Sequence, residues 1–330
     1  MSSAAKPLAR GTLGRLELRC PPFPQTLLEA VDMIERIEDV EVRPVVRMVE
    51  RDPILVAQLL RTVNSAYYGL QRAITSPERA VVLLGPVTVV GLVAGMSMLR
   101  LRPLVTTGTS EISGRIIGHS LATAYFARRI VEQTPGHVAQ RAFPMLTRSG
   151  AAYTAGLLHD LGKFILLYNY PDEAATLYRE GGLGESVVAE DAREQERLLF
   201  GCDHTEAGLV AALHFQFPDA LADVIRLHHA PEARRGEGVD PATACLLRAT
   251  AAASAAAALA DFGVLPGPAP DAEALLADLV QRDLPPGTRL NEFVDGLLAE
   301  APAVEQYIGA LTQLGPEEMA RLRSRVRLPR

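Results

Sequence analysis

The sequence predicts an all-helical protein, and three observations carry that expectation. Apolar residues recur three and four apart along most of the chain, helix-opening pairs such as Asp52-Pro53 punctuate it, and no window alternates as a half-buried strand does. With 330 residues and 48% apolar side chains, the chain can bury a core without disulfide staples.

Residues 1–20 read as a flexible segment: Lys6, Arg10, Arg15, Glu17 and Arg19 interleave with small residues, and the apolar stretch of a secretory signal is missing. A helical subdomain is expected over 21–105. After the turn Pro21-Pro22-Phe23-Pro24, Leu27, Leu28, Val31 and Ile34 form the stripe of an amphipathic helix. Asp52 is a good N-cap with Pro53 in the first turn, and Val56, Leu59, Leu60 and Val63 supply the apolar face. Val81 to Leu99 runs nineteen residues without a charge, long enough to test as a membrane span. Gly85, Pro86, Gly91 and Gly95 interrupt it, and Ser76-Pro77-Glu78 and Gly85-Pro86 read as successive helix starts. Two buried core helices are therefore expected there, and no span.

A second helical core is expected over 106–264, with loops at Thr134-Pro135-Gly136, at Gly181-Gly182 and from Arg234 to Val239. The alanine-rich run Ala249 to Ala258 reads as a closely packed helix. Residues 265–270, Leu-Pro-Gly-Pro-Ala-Pro, form a proline-rich linker, because three prolines in five residues cannot continue a helix. Residues 271–330 then read as a C-terminal extension of three helical segments, the last opening at Gly315-Pro316-Glu317-Glu318.

Composition narrows function. Cys20, Cys202 and Cys245 are widely spaced and odd in number, which argues against a disulfide framework or a thiolate zinc site and for a reducing, cytoplasmic setting. A net charge of -6 argues against a general grip on nucleic acid. The tail with Arg321, Arg323, Arg325, Arg327 and Arg330 fits an acidic partner, RNA or a membrane surface, and fits a solvated, frayed terminus better.

The histidines carry the chemistry. His159-Asp160 interrupts an apolar stretch, Gly156 to Lys163, Asp203-His204 and His228-His229 follow, and His119 precedes them on a small, apolar helix face. Imidazole and carboxylate together suit manganese or iron, and two ions about 3.5–4 Å apart would polarise a phosphoryl group and activate a water. Lys163, one turn beyond Asp160, would offer a point charge to phosphate. Plainer roles fit each residue singly: His119 as a hydrogen-bonded core histidine, His204 as the first residue after the Asp203 cap, His228-His229 as partners of a helix dipole. His137 and His214 read as structural. Four separate segments offering ligand types within one helical region favour a shared site.

Phe23-Pro24, Asp52-Pro53, Leu59 to Ala66 with Asn64-Ser65, and Ile74-Thr75-Ser76-Pro77 with Ala80 to Gly85 resemble the N-terminal half of HDOD domains. His119-Ser120, Gly156 to Lys163, Asp203-His204 with Gly208, Phe217-Pro218 and His228-His229-Ala230-Pro231 resemble the second half, in order. The resemblance covers roughly 20–260. It implies an all-helical fold related to metal-dependent HD phosphohydrolases and a place in bacterial signalling, often without catalysis.

In the related HD-GYP cyclic-dinucleotide phosphodiesterases the matching ligand positions are His119, His159, Asp160, His204, His228 and His229, with Lys163 near phosphate. Two departures stand out. The closing aspartate of the HD superfamily has no counterpart between Leu246 and Ala260, which offers Thr250, Ser254 and alanines, with Asp261 one register away. The glycine-rich phrase after the paired histidines is also absent. The expectation is a regulatory binding or scaffold module that engages other signalling proteins, as a monomer or homo-oligomer. It holds manganese, iron or magnesium, or no metal. The alternative is a metal-dependent phosphohydrolase acting on a nucleotide or cyclic dinucleotide.

Overall fold

The computed structural model describes residues 18–35, 41–102, 109–133, 149–180, 192–264, 272–314 and 317–319. The linker at 265–270, the arginine-rich tail, the loops at 134–136 and 181–182 and most of the N-terminal segment lie outside the described residues. Every described element is helical.

Five helices occupy the first region: α1 Gln25–Glu35, α2 Val42–Glu50, α3 Pro53–Val63, α4 Pro77–Leu84 and α5 Pro86–Leu99. Their starts follow the sequence chemistry. The Asp52 carboxylate accepts from the Ile54 and Leu55 amides, and the Ser76 hydroxyl accepts from the Arg79 amide. Helix α3 buries Leu55, Leu59, Thr62 and Val63, while Val56 and Leu60 lie at the edge of the contact, so the buried face is turned slightly from the one the periodicity suggests.

The uncharged run of residues 81–99 does divide. Helices α4 and α5 meet at 118°, and Gly85 makes the corner with φ of +83°, a conformation that a residue with a side chain adopts only under strain. Helix α5 is then buried on all sides from Val89 to Met98.

The second region holds α6 Ser110–Gln133, α7 Ser149–Leu158, α8 Leu161–Asn169, α9 Pro171–Glu180, α10 Ala192–Phe200, α11 His204–His214, α12 Asp219–Leu227, the short α13 Pro231–Arg234 and α14 Pro241–Ala257, which ends in a π turn over Ala258–Phe262. Helices α6, α7 and α14 pack together at the centre. Helix α5 joins the N-terminal helices to α7, and α8 packs on α11 at the other side. The alanine run lies inside α14, where thirteen residues from Thr243 to Ala257 are buried. By length and composition, Pro241–Phe262 is apolar enough to cross a membrane, yet 72% of that window is buried within the fold, where it packs on α6, α7 and α15.

The C-terminal residues form α15 Ala272–Asp283, α16 Leu290–Leu298 and α17 Ala301–Thr312, and residues 317–319 begin a further helical turn. The sequence suggests three helical segments here with the last opening at Gly315-Pro316, and the described residues hold three helices before that point. Helix α17 lies across both earlier regions. The Thr62 hydroxyl donates to the Ala310 carbonyl at 3.0 Å, and Glu300, beside α17, accepts from Arg129 at 2.8 and 2.9 Å and from the Tyr125 hydroxyl at 3.0 Å.

Candidate metal centre

Four segments deliver the polar residues. Helix α6 carries His119. His159 and Asp160 occupy the tight turn between α7 and α8. His204 is the first residue of α11, and His228 caps the end of α12 with His229 next to it. The plainer role of Asp203 holds as well: its carboxylate accepts from Thr205 and Glu206, and Glu206 returns a bond to the Asp203 amide, completing a capping box. The same cap therefore aims His204 inward.

Close approach of α8 and α11 depends on glycine. A Cβ on Gly162 would fall 1.6 Å from the His204 carbonyl oxygen, so no side chain fits there. Gly208, on the next turn of α11, faces Gly162 and Ile225 in the same seam.

Asp160 is the hub. Its Oδ2 lies 3.6 Å from His119 Nε2 and 3.5 Å from His159 Nε2, and its Oδ1 lies 3.4 Å from His204 Nε2 and 3.5 Å from His228 Nε2. His229 joins the Oδ1 side, its ring 4.2 Å from His228 and 5.1 Å from His204. All six residues expected from the sequence are thus in one place. His119, His159, Asp160, His204 and His228 are 1–4% exposed, whereas His229 is exposed at the rim.

The outer nitrogen of each buried ring decides what the inner one can do. Nδ1 of His119 meets the Phe262 carbonyl at 2.8 Å, that of His159 the Gly156 carbonyl at 2.8 Å, and that of His228 the Ile225 carbonyl at 3.0 Å. Nδ1 of His204 meets the Glu196 carboxylate at 2.6 Å. All four partners are acceptors, so Nδ1 carries the proton and donates. In a neutral ring, Nε2 is then a bare lone pair.

Neutral rings are what burial produces. It pushes His119 down to about 4 and lowers His159 and His228 as well, in each case against the pull of Asp160. Burial by itself would raise the Asp160 carboxyl, but the Lys163 ammonium and the surrounding histidines together outweigh this and hold it well below the usual carboxylate range.

Lone pairs on Nε2 of His119, His159 and His228 therefore face lone pairs on a carboxylate at 3.5–3.6 Å, and His204 Nε2 lies 3.4 Å from it. Nε2 of His159, His204 and His228 and Oδ1 of Asp160 are buried with no hydrogen-bond partner among the described residues. Such acceptors repel one another unless a cation lies between them. Ligand atoms about 2.0–2.1 Å from a tetrahedral ion stand roughly 3.4 Å apart, so the spacing fits a divalent metal. Imidazole nitrogen with one carboxylate suits iron, zinc or manganese better than magnesium.

Lys163 is where the structure adds most to the sequence reading. Its ammonium donates to Asp160 Oδ2 at 2.5 Å and the residue is only 9% exposed, so it offsets the charge of the buried carboxylate. Ser254 stands where a closing carboxylate was sought: its hydroxyl lies 3.2 Å from His119 Nε2, while Asp261, in the π turn, is exposed. Glu196 was missed. It is fully buried, accepts from the His204 amide at 2.8 Å as well as from its ring, and accepts from the Tyr178 hydroxyl at 2.8 Å. Within the charged stretch Arg193-Glu194-Gln195-Glu196-Arg197, nothing separates it from solvated neighbours.

A model of the HDOD domain matches residues 20–231. The solved structure of an HDOD domain protein from Geobacter sulfurreducens superposes with a TM-score of 0.69 at 22% identity, over 92% of this chain and 97% of that one. A protein from Marinobacter aquaeolei VT8, provisionally named for signal transduction, gives 0.66 at 20% identity, over 92% of this chain and 64% of its own. A protein from Shewanella amazonensis SB2B, provisionally named a phosphohydrolase, gives 0.62 at 22% identity, over 89% and 95%. An uncharacterised protein of Treponema pallidum (strain Nichols) is 26% identical over 212 residues, which is 63% of this chain and 37% of that protein's length. At these identities the solved structures establish the shared helical fold.

Proposed function

The chain belongs to the HDOD family, and from that premise we propose that it is a cytoplasmic signal-transduction module that engages other signalling proteins, with a metal-holding centre and little or no turnover. One observation carries the loss of turnover: Ser254, not a carboxylate, meets His119, and the ammonium of Lys163 takes the Asp160 oxygen on the same side. A catalytic pair of ions needs anionic ligands to anchor it and offset its charge.

A bound divalent cation supplies Lewis acidity toward a phosphoryl oxygen or a water. The protein's own groups hold the centre still. The carbonyls of Phe262, Gly156 and Ile225 and the Glu196 carboxylate fix ring orientation, and Lys163 neutralises Asp160.

The test pairs two measurements on the full chain. Phosphate release from a panel of nucleotides and cyclic dinucleotides with added manganese is expected to match that of a His228→Ala variant. Co-purification of a protein partner is expected with both. Robust manganese-dependent release, lost in His228→Ala, would replace this reading with a metal-dependent phosphohydrolase. The convergence of all six ligand-type residues favours that second reading.

A further inference from the structure

We infer that the centre takes a single divalent cation, held by Asp160 Oδ1 with His204, His228 and His229, and that the Lys163 ammonium serves as the resident cation of the other half. This rests on the metal-holding reading above and assigns the ion its place.

The two halves have similar spacing and differ in which lone pairs are already satisfied. On the Oδ2 side, His119 Nε2 can accept from the Ser254 hydroxyl and Oδ2 accepts from Lys163, so His159 Nε2 alone lacks a partner among the described residues. On the Oδ1 side, His204 Nε2, His228 Nε2 and Oδ1 itself all lack one. Three buried acceptors aimed at one point, with His229 as a fourth, need a cation far more than a single acceptor does.

Charge points the same way. A divalent ion between His119 and His159 would share Oδ2 with an ammonium 2.5 Å from that oxygen, and two cations on one carboxylate oxygen repel each other strongly in a buried site. On the Oδ1 side the ammonium does not occupy the oxygen that an ion would use. That side is also better anchored, because the Glu196 carboxylate donates negative charge through His204 while the Oδ2 side has a neutral serine.

Access agrees. His229 is exposed at the rim of the Oδ1 side, whereas His119 and His159 are enclosed. Three imidazoles and one carboxylate oxygen select iron, zinc or manganese over magnesium or calcium.

The experiment loads the full chain with manganese, removes the excess, and counts ions by elemental analysis alongside electron paramagnetic resonance. The wild type is expected to hold one ion with an isolated-ion spectrum. His119→Ala should keep it and His228→Ala should lose it. His229→Ala, altered at the exposed rim where folding is least at risk, should weaken manganese binding at least tenfold. Restoring a carboxylate and removing the ammonium, in Ser254→Asp with Lys163→Ala, should raise the count to two and give a spin-coupled pair. Two ions per wild-type chain overturn the assignment and leave the metal-holding reading intact. So does loss of the ion in His119→Ala but not in His228→Ala, or a double variant that still takes one. A wild type that retains no manganese, iron or zinc overturns the metal-holding reading itself.

Discussion

Asn64 in the N-terminal region and Asp160 in the core both stand in phrases that made the sequence recognisable, and their surroundings give them opposite meanings. Asn64 closes every bond on backbone: its amide nitrogen donates to the Leu60 and Ile74 carbonyls at 2.7 and 2.8 Å, and its oxygen accepts from the Ile74 amide at 2.7 Å. It ties the end of α3 to the chain ten residues on and asks nothing of a ligand. Asp160 is surrounded by imidazoles whose inner nitrogens lack donors, and one of its own oxygens lacks one too. The difference teaches that a distinctive polar residue marks a fold when its bonds are satisfied internally, and a site when they are not.

Asp160→Ala should have the largest effect. It removes the carboxylate whose two oxygens serve the two halves and strands a buried ammonium, so metal binding should be lost and stability should fall by about 3 kcal/mol. Calorimetric titration and a thermal melt measure the two losses. Retained stability would mean that Lys163 swings to solvent and that the ion pair is not integral to the fold.

Asn64→Ala should do the reverse. Three backbone bonds are lost, for about 1–3 kcal/mol by denaturant unfolding, while metal content stays unchanged. Metal loss without unfolding would break the contrast. Glu196→Gln should sharpen it from the core side, by lowering metal affinity about tenfold at near-constant stability, because the amide cannot raise the basicity of His204 as a carboxylate does.

The smallest effect concerns Asp52, which the hydrogen bond from Arg100 holds below the ordinary carboxylate value. Because its folded value lies below its unfolded one, the stabilisation is complete above about pH 4 and fades as pH falls through the folded value. Asp52→Asn should reduce the acid sensitivity of unfolding slightly in that window and leave it unchanged near neutrality.

Much of this was legible in the residues. Asp52-Pro53, Ser76-Pro77 and Gly85-Pro86 are local chemistry, since a helix start marked by a first-turn proline opens a helix in almost any context. The ligand set was legible because histidine is scarce, at seven in the chain, and four segments offered it. The bond from Lys163 to Asp160 was not, because a lysine one turn from an aspartate reads equally as a phosphate contact from sequence alone. Glu196 was hidden for a related reason: its role comes from the turn after α10 that brings His204 back onto it, which has no sequence period. Ser254 could be suspected only as the absence of an aspartate, and its bond to His119 required α14 and α6 in place.

The most direct test of the account is anomalous diffraction from crystals of the full chain grown with manganese. The account predicts one peak, between Asp160 Oδ1 and the Nε2 atoms of His204 and His228, with Lys163 still on Oδ2. A peak between His119 and His159, or no peak within the centre at all, would contradict it.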